Sequence, residues 1–293
     1  GNRCAETRID GQSALQSTQH TARHAVHHHK PVAAQMGGIR HPGRKAGGNI
    51  VIAFAARRAE SEKNGKLRGL GINCFIEACG IAPSNLVGQL GARAGLYESA
   101  TVRVNATGGI VVMTGSHSHG QGHETAFPQV ISEMLGIDES MIEIVHGDTS
   151  KVPMGMGTYG SRSLAVGGSA MVRATEKILR KAKKIAAHLM EASDGDIEVK
   201  DGRFHVAGTD KSVAWGDVTL AAYVPHNYPL EDIEPGLEET AFYDPSNFTY
   251  PAGAYACEVE LGPETGRVTI ERFAAADDFG NVINPMIVAG QVH

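Results

Sequence analysis

The chain reads Gly108-Gly-Ile-Val-Val-Met-Thr-Gly-Ser-His-Ser-His-Gly-Gln-Gly-His-Glu124 near its centre, an apolar run that passes directly into a polar, glycine-rich loop. This pattern predicts a strand, the loop, and then a helix at 125–135 with Gly136 as its C-cap. The same order follows again as a strand at 141–145, a loop at 147–163 and a helix at about 164–190. Two units of strand, loop and helix indicate an α+β fold with mixed sheets and packed helices.

Periodicity and turn residues predict further elements on both sides of this stretch. Strong helix formers predict an exposed helix at 54–63, and the next segment, 67–77, is typical of a strand whose glycines lie where another backbone passes close. Turn residues predict hairpins at 100–114, 197–206 and 254–274.

Two further expectations concern a long segment and the cysteines. Residues 223–252 are rich in Pro, Asn and Asp, which predicts a long surface excursion. Cys74, Cys79 and Cys257 lie in apolar segments, so we expect buried side chains that act as small hydrophobic residues.

Residues 1–50 differ in composition from the rest of the chain. Seven Lys and Arg against Glu6 and Asp10 give this segment a net charge of +5, and it holds six of the 14 histidines but no Phe, Tyr or Trp. It has no helical or strand periodicity, so we predict that it is poorly ordered or foreign to the remainder. The adjacent His27-His28-His29 cannot converge on one metal ion as residues at i and i+4 can.

Length and composition exclude several classes of protein. A chain of 293 residues is long enough for about two domains. Its 27 basic and 32 acidic residues, a net charge of −5, argue against a nucleic-acid partner. No apolar run approaches the roughly 18 residues of a membrane span, and no secretory leader opens the sequence. Four cysteines without a CxxC pair favour a reducing compartment, so we expect a soluble, cytoplasmic protein.

Both glycine-rich loops precede helices, where unpaired backbone N–H groups and the helix dipole favour anions. The second loop adds the hydroxyls of Thr158, Ser161 and Ser163 and the guanidinium of Arg162, which suits phosphate. Two such loops suggest an extended phosphorylated ligand such as a dinucleotide. In the alternative interpretation the glycines only form tight turns, and Ser161 or Ser163 only caps the helix. Neither loop has the sequence of a P-loop or a Rossmann fingerprint.

A metal site is a further alternative for the first loop. His117, His119 and His123 could ligate a zinc ion and make the protein a zinc hydrolase. Such a site needs carboxylates in its second shell, and Glu124 is the acid at hand in this loop. Polar donation or packing by these histidines is the simpler interpretation.

Three motifs in fixed order resemble a known family. They are Gly120-Gln-Gly-His-Glu-Thr125, Gly155-Met-Gly-Thr-Tyr-Gly-Ser-Arg-Ser163 and Asp278-Phe-Gly-Asn-Val-Ile-Asn-Pro-Met-Ile-Val-Ala-Gly-Gln-Val-His293. Together they resemble the large, molybdenum-binding subunit of the xanthine dehydrogenase and aldehyde oxidase family, especially its aerobic carbon monoxide dehydrogenase branch. The resemblance runs from about Phe54 to His293.

The resemblance implies a molybdopterin-binding domain of the molybdenum hydroxylase type. Its cofactor would be molybdopterin with molybdenum, in the cytosine dinucleotide form common in bacteria. The motifs match positions that contact this cofactor: Gln121, Gly122, His123 and Glu124 in the first loop, Thr158, Ser161, Arg162 and Ser163 at the phosphates, and Gln291 near the pterin. Such enzymes oxidise CO, an aldehyde or an N-heterocycle with water as the oxygen source, and pass electrons to an iron–sulfur subunit and an FAD subunit.

The sequence departs from the family pattern at both ends. The arginine-containing loop over the metal and the glutamate that acts as catalytic base are not found, so no catalytic residue is assigned. We therefore expect an internal fragment that is inactive alone, with residues 51–165 and 166–293 as two successive parts of the molybdopterin-binding region. The alternative is a non-catalytic remnant or an assembly module.

Overall fold

The computed structural model describes residues 50–81 and 83–293. Its helices are α1 (Phe54–Lys63), α2 (Ser84–Gln89), α3 (His123–Leu135), α4 (Ser169–Met190), α5 (Trp215–Tyr223) and α6 (Pro285–Val292). Its strands are β1 (Leu67–Ile76), β2 (Glu98–Val104), β3 (Ile110–Thr114), β4 (Ile142–His146), β5 (Ile197–Lys200), β6 (Arg203–Val206), β7 (Ser212–Ala214), β8 (Leu237–Tyr243), β9 (Ala252–Gly262) and β10 (Arg267–Asp278). The predictions for residues 1–49, including disorder and the triple histidine, lie outside the described residues.

The described residues form two compact units. The first contains residues 79–81, 83–249 and 282–293, and the second contains residues 50–78 and 250–281. The boundaries of these units differ from those of the predicted regions 51–165 and 166–293 of the molybdopterin-binding part. The division into those two regions stays a prediction.

A four-stranded mixed sheet is the centre of the first unit. Its order is β4-β3-β2-β8, with β3 and β4 parallel and the other two pairs antiparallel. Helix α4 packs on β2 and β8. It does so with small and branched side chains three or four residues apart, and Ala170, Ala174, Ile178 and Ala182 are fully buried. This periodicity explains why the helix predicted from residue 164 is present, with a π-helical turn at Ser163–Gly168 before the α-helix.

A smaller antiparallel sheet, β5-β6-β7, also belongs to the first unit. The ring of Trp215 at the start of α5 stacks on Phe204 of β6, with ring centroids 6.1 Å apart. The Trp215 indole N–H donates to the carbonyl of Gly108 at 2.8 Å, which ties this sheet to the turn between β2 and β3. The predicted α+β class with mixed sheets and packed helices is confirmed.

The second unit is an antiparallel sheet of order β1-β9-β10 with α1 on one face. The buried carboxylate of Glu258 accepts from Arg57 of α1 at 2.7 Å and from Arg68 of β1 at 2.7 Å. Hydrogen bonds, chiefly from Lys66, lower the pKa of Glu260 to about 2. Ion pairs therefore attach the helix to the sheet.

Three expectations about local structure are wrong. The segment 223–252 is no mere surface excursion, because it contains β8, whose Leu237 is fully buried beside β2. Cys74 is exposed, whereas Cys79 is buried and Cys257 is partly buried. The glycines of β1 do not mark a close backbone: within the described residues, a Cβ at Gly71 would meet nothing within 4 Å.

Helices able to cross a membrane are not found in the described part of the chain, because none combines sufficient length with sufficient apolar character.

Candidate functional site

The two glycine-rich loops, residues 115–122 and 147–162, touch each other. A Cβ placed on Gly115 would lie 2.3 Å from the Cα atom of Gly155, so the two backbones meet where only glycine fits. The hydroxyl of Thr158 in the second loop donates to the carbonyl of His117 in the first loop at 2.5 Å. The fold therefore brings together two segments that are about forty residues apart in sequence.

The first loop ends at the N-terminus of α3 with its backbone open. Gly120 and Gly122 have φ values of 97° and 84°, the left-handed region that favours glycine. Among the described residues, no side chain caps α3, and a Cβ on Gly120 would meet nothing within 4 Å. The N–H groups of Thr125 and Ala126 donate to the carbonyl of Gly122, so the open space at this helix start lies beside Gly120.

The second loop ends in a similar way. Gly157, Gly160 and Ser161 all have positive φ, with Ser161 at 53° and its side chain exposed. In the described residues, neither Ser161 nor Ser163 caps the helical turn that starts at Ser163, so the capping alternative lacks support. Ser163 is instead buried, with its hydroxyl 2.8 Å from that of Thr158.

Arg162 has partners other than a surface anion. Its side chain is fully buried and donates to the carbonyls of Ile81 at 2.9 Å, Leu96 at 2.5 Å and Gly157 at 3.0 Å. It also donates to Glu98 Oε1 at 2.5 Å. The guanidinium was expected to grip a phosphate, but here it holds the second loop from beneath.

Glu98 is a residue that the sequence reasoning missed. It is fully buried as the first residue of β2, and its Oε1 also accepts the backbone N–H of Met156 at 2.8 Å. Burial raises the pKa of the Glu98 carboxyl, and the hydrogen bond from Met156 and the charge of Arg162 oppose this rise. The sequence gives little signal for it, because β2 also contains the polar residues Ser99, Thr101 and Arg103.

Histidines surround the first loop without forming a metal centre. His117 lies between two other rings, with centroids 4.9 Å from His119 and 5.1 Å from His146. His146 Nε2 donates to Glu124 Oε1 at 3.0 Å. No group of three or more His, Cys, Asp or Glu side chains in the described residues is arranged to hold a metal ion. The zinc alternative therefore has no geometric support.

His123 has a structural environment. Its ring is buried, stacks on Phe127 with centroids 4.5 Å apart, and hydrogen-bonds through Nδ1 to the carbonyl of Ser116 at 3.3 Å. Burial lowers the pKa of His123, so the neutral ring is favoured. Glu124 is exposed, and its own backbone N–H, followed by His146, lowers its pKa.

The third motif also reaches the first loop. Helix α6 carries Ile287, whose Cδ1 atom would lie 2.8 Å from a Cβ on Gly122. Gln121 Oε1 accepts the backbone N–H of His119 at 2.5 Å, which leaves its amide NH2 group for another partner. Gln291 lies on α6 with an exposed side chain.

This arrangement suits an elongated anionic ligand that carries hydrogen-bond acceptors. The exposed Ser161 hydroxyl and the amide NH2 group of Gln121 supply neutral donors along one loop junction. Open space beside Gly120 and Gly157 lets a ligand approach the backbone closely. These are the features that a phosphorylated pterin dinucleotide requires, so the residues fit the cofactor implied by the motifs.

Comparison with known families agrees with this fold and loop geometry. Residues 51–293 match the family described as the molybdopterin cofactor-binding domain. The chain belongs to this family, which confirms the resemblance inferred from its three motifs.

Several individual proteins are similar to this chain in sequence or in structure. The chain is 43% identical over 240 residues to the carbon monoxide dehydrogenase large chain of Hydrogenophaga pseudoflava, covering 82% of this chain and 29% of that protein. It is 37% identical over 241 residues to the nicotine 6-hydroxylase large subunit of Paenarthrobacter nicotinovorans, with the same two coverages, 82% and 29%. Quinoline 2-oxidoreductase from Pseudomonas putida 86 superposes with a TM-score of 0.76 at 38% identity, covering 82% of this chain and 30% of that one. The chain thus spans less than a third of the length of these relatives.

Proposed function

We propose that the junction of the two loops binds a molybdopterin cofactor, in its cytosine dinucleotide form, within the large subunit of a molybdenum-dependent oxidoreductase. The observation that carries this proposal is the direct contact of the loops at Gly115 and Gly155, reinforced by Thr158 and His117. Family membership and the similarity to a carbon monoxide dehydrogenase and to hydroxylating enzymes support it.

Each loop has its own part in the proposal. Backbone N–H groups around Gln121, Gly122, His123 and Glu124 would orient the cofactor at the start of α3. The Ser161 hydroxyl and the neighbouring N–H groups would hold its phosphates, with Thr158 and Ser163 fixing the loop shape and Arg162 supporting it from inside. Gln291 on α6 would contact the pterin edge. When bound, the cofactor supplies the redox chemistry of its molybdenum, and the chain orients it and shields it from water.

The remaining parts of the proposal concern the whole enzyme. The substrate would be a small molecule such as CO, an aldehyde or an N-heterocycle. Partner subunits with iron–sulfur clusters and FAD would accept the electrons. We place the enzyme in the cytoplasm because four cysteines without a CxxC pair favour a reducing compartment.

The cofactor assignment is tested by analysing protein purified from a host that makes the cofactor. Molybdenum is measured by mass spectrometry, and the cytosine nucleotide is measured after denaturation and hydrolysis. We expect both in equal amounts. A protein that retains neither would contradict the proposal and favour a remnant or assembly module.

A pair of variants tests the phosphate end of the site. Ser161→Glu places a negative charge at the second helix start, so it should abolish retention of molybdenum and nucleotide. Thr149→Glu adds the same charge at an exposed position of the same loop and should leave retention unchanged. Equal retention in the two variants would rule out phosphate binding at Ser161.

A further inference from the structure

The carboxylate of Glu98 lies beneath the second loop and receives hydrogen bonds from it. Its Oε1 atom accepts the N–H of Met156 at 2.8 Å and the guanidinium of Arg162 at 2.5 Å. The N–H of Gly157 also interacts favourably with this carboxylate. Donors from residues 156, 157 and 162 therefore converge on one side chain of β2.

The other carboxylate oxygen faces the first loop. Glu98 Oε2 is buried, has no hydrogen-bond partner among the described residues, and would lie 2.7 Å from a Cβ on Gly115. A Cβ on Gly155 would lie 3.4 Å from the same oxygen. The carboxylate thus sits directly below the point where the two loops meet.

The neighbouring residue of β2 binds the same loop. Ser99 Oγ donates to the carbonyl of Met154 at 2.5 Å and accepts the N–H of Met154 at 3.2 Å. Ser99 and Glu98 together attach residues 154 and 156 to a buried strand. This attachment leaves residues 159–161 as the exposed part of the loop.

A buried ion pair is a poor way to gain stability, because removing two charges from water costs about as much as their attraction returns. Glu98 and Arg162 are both fully buried, and an apolar pair of similar volume would pack there at no such cost. The pair does provide defined geometry, because a carboxylate and a guanidinium form directional hydrogen bonds that fix loop N–H and C=O groups at particular positions.

We propose that Glu98 is a positioning residue that sets the shape of the second loop for cofactor binding, an inference that rests on the proposed function. It acts through Met156, Gly157 and Arg162 and does not contact the cofactor. Without its charge, the loop keeps its sequence but loses the anchor that presents Ser161 at the helix start.

The test is hydrogen–deuterium exchange of the full chain followed by mass spectrometry. Glu98→Gln should raise the exchange rates of the Met156 and Gly157 amides by about tenfold or more, because hydrogen bonds to charged groups are the strong ones. Peptides from the β5 and β6 hairpin, residues 197–206, should exchange as in the unmodified protein. Glu238→Gln is the matched control: it removes a carboxylate from β8, paired with Arg103 of β2, where both side chains are 47% exposed.

Glu98→Asp is the second variant, since it keeps the charge and withdraws it by one methylene. It should give exchange rates between those of the unmodified protein and of Glu98→Gln. Unchanged exchange at residues 156 and 157 in either folded variant overturns the proposal. Failure of both variants to fold also overturns it, because Glu98 would then sustain the whole unit and not the loop.

Molybdenum content measured on the same samples separates this inference from the proposed function. Faster loop exchange with loss of bound molybdenum supports both. If the unmodified protein holds no molybdenum, the proposed function fails, and the positioning role for that cofactor fails with it. If the variant protein is loaded with molybdenum and its loop exchange is unchanged, only the role of Glu98 is overturned.

Discussion

Replacement of Gly115 by alanine tests the contact on which the candidate site depends. The added Cβ would lie 2.3 Å from the Cα atom of Gly155 and 2.7 Å from Glu98 Oε2. Neither neighbour can move away freely, because one is backbone and the other belongs to a carboxylate whose Oε1 atom is held by Met156 and Arg162. The two loops must therefore move apart.

The size of the effect follows from these distances. Forcing an extra methyl group into a packed interior costs about 1–3 kcal/mol. Separation of the loops also breaks the hydrogen bond from Thr158 to His117, which is worth about 1 kcal/mol. We expect Gly115→Ala to lower the free energy of unfolding by about 2–4 kcal/mol.

Urea denaturation followed by far-UV circular dichroism measures this loss. The control is Gly216→Ala on α5, where a Cβ would meet nothing within 4 Å among the described residues. Alanine is the better helix former, so the control should be unchanged or more stable by up to about 1 kcal/mol. If the Gly115→Ala protein stays within about 0.5 kcal/mol of the unmodified protein, the loops do not meet as described.

Three further predictions concern the rest of the fold. Glu258→Ala should lower the free energy of unfolding, measured by urea denaturation, by about 2–4 kcal/mol because two arginines lose their buried carboxylate. Arg58→Ala, which breaks an exposed ion pair, should lower it by less than about 0.5 kcal/mol. Equal losses would contradict the role of burial. The pKa of Glu260 is lowered from 4.5 to about 2, so its ionised carboxylate stabilises the fold above pH 4.5 and loses this contribution as the pH falls toward 2. Glu260→Gln should therefore reduce the slope of melting temperature against pH in this range. An unaltered slope would argue against the ion pairs of Glu260. Leu237→Ala should lower the free energy of unfolding by about 2–5 kcal/mol in the same denaturation experiment, because the Leu237 side chain is fully buried. Leu230 is 58% exposed, so Leu230→Ala should leave the free energy of unfolding nearly unchanged. Similar losses in the two variants would place β8 outside the core.

Local elements followed from the sequence with good accuracy. The helix predicted at 54–63 has those bounds, and the hairpin predicted at 197–206 is present, with its turn at Asp201 and Gly202. Both depend on interactions within a few residues, helix propensity in one and turn conformation in the other. Periodicity within such a window is visible without any tertiary contact.

Strand β8 shows where local reasoning failed. Its residues lie in a segment rich in Pro, Asn and Asp, so its neighbours suggested a surface loop. It pairs with β2 along Glu98–Val104, more than 130 residues earlier in the chain. Pairing over such a distance depends on the whole chain path, and β8 shows no strong alternation of its own that would predict it.

The candidate site was also predicted only in part from the sequence. Family membership and the two glycine-rich loops before helices were evident from three motifs, because a loop conformation that needs positive φ selects glycine at particular positions. The cofactor contacts assigned to individual residues stay a proposal.

The amino-acid sequence alone determined the helix starts, the glycine positions and the family, since each depends on residue type over a short stretch of chain. Only the tertiary structure decided that the loops meet at Gly115 and Gly155 and that Arg162 points inward to Glu98. The physical reason is that a guanidinium donates equally well to a phosphate, a carbonyl or a carboxylate, so its partner depends on which acceptor the fold brings within reach.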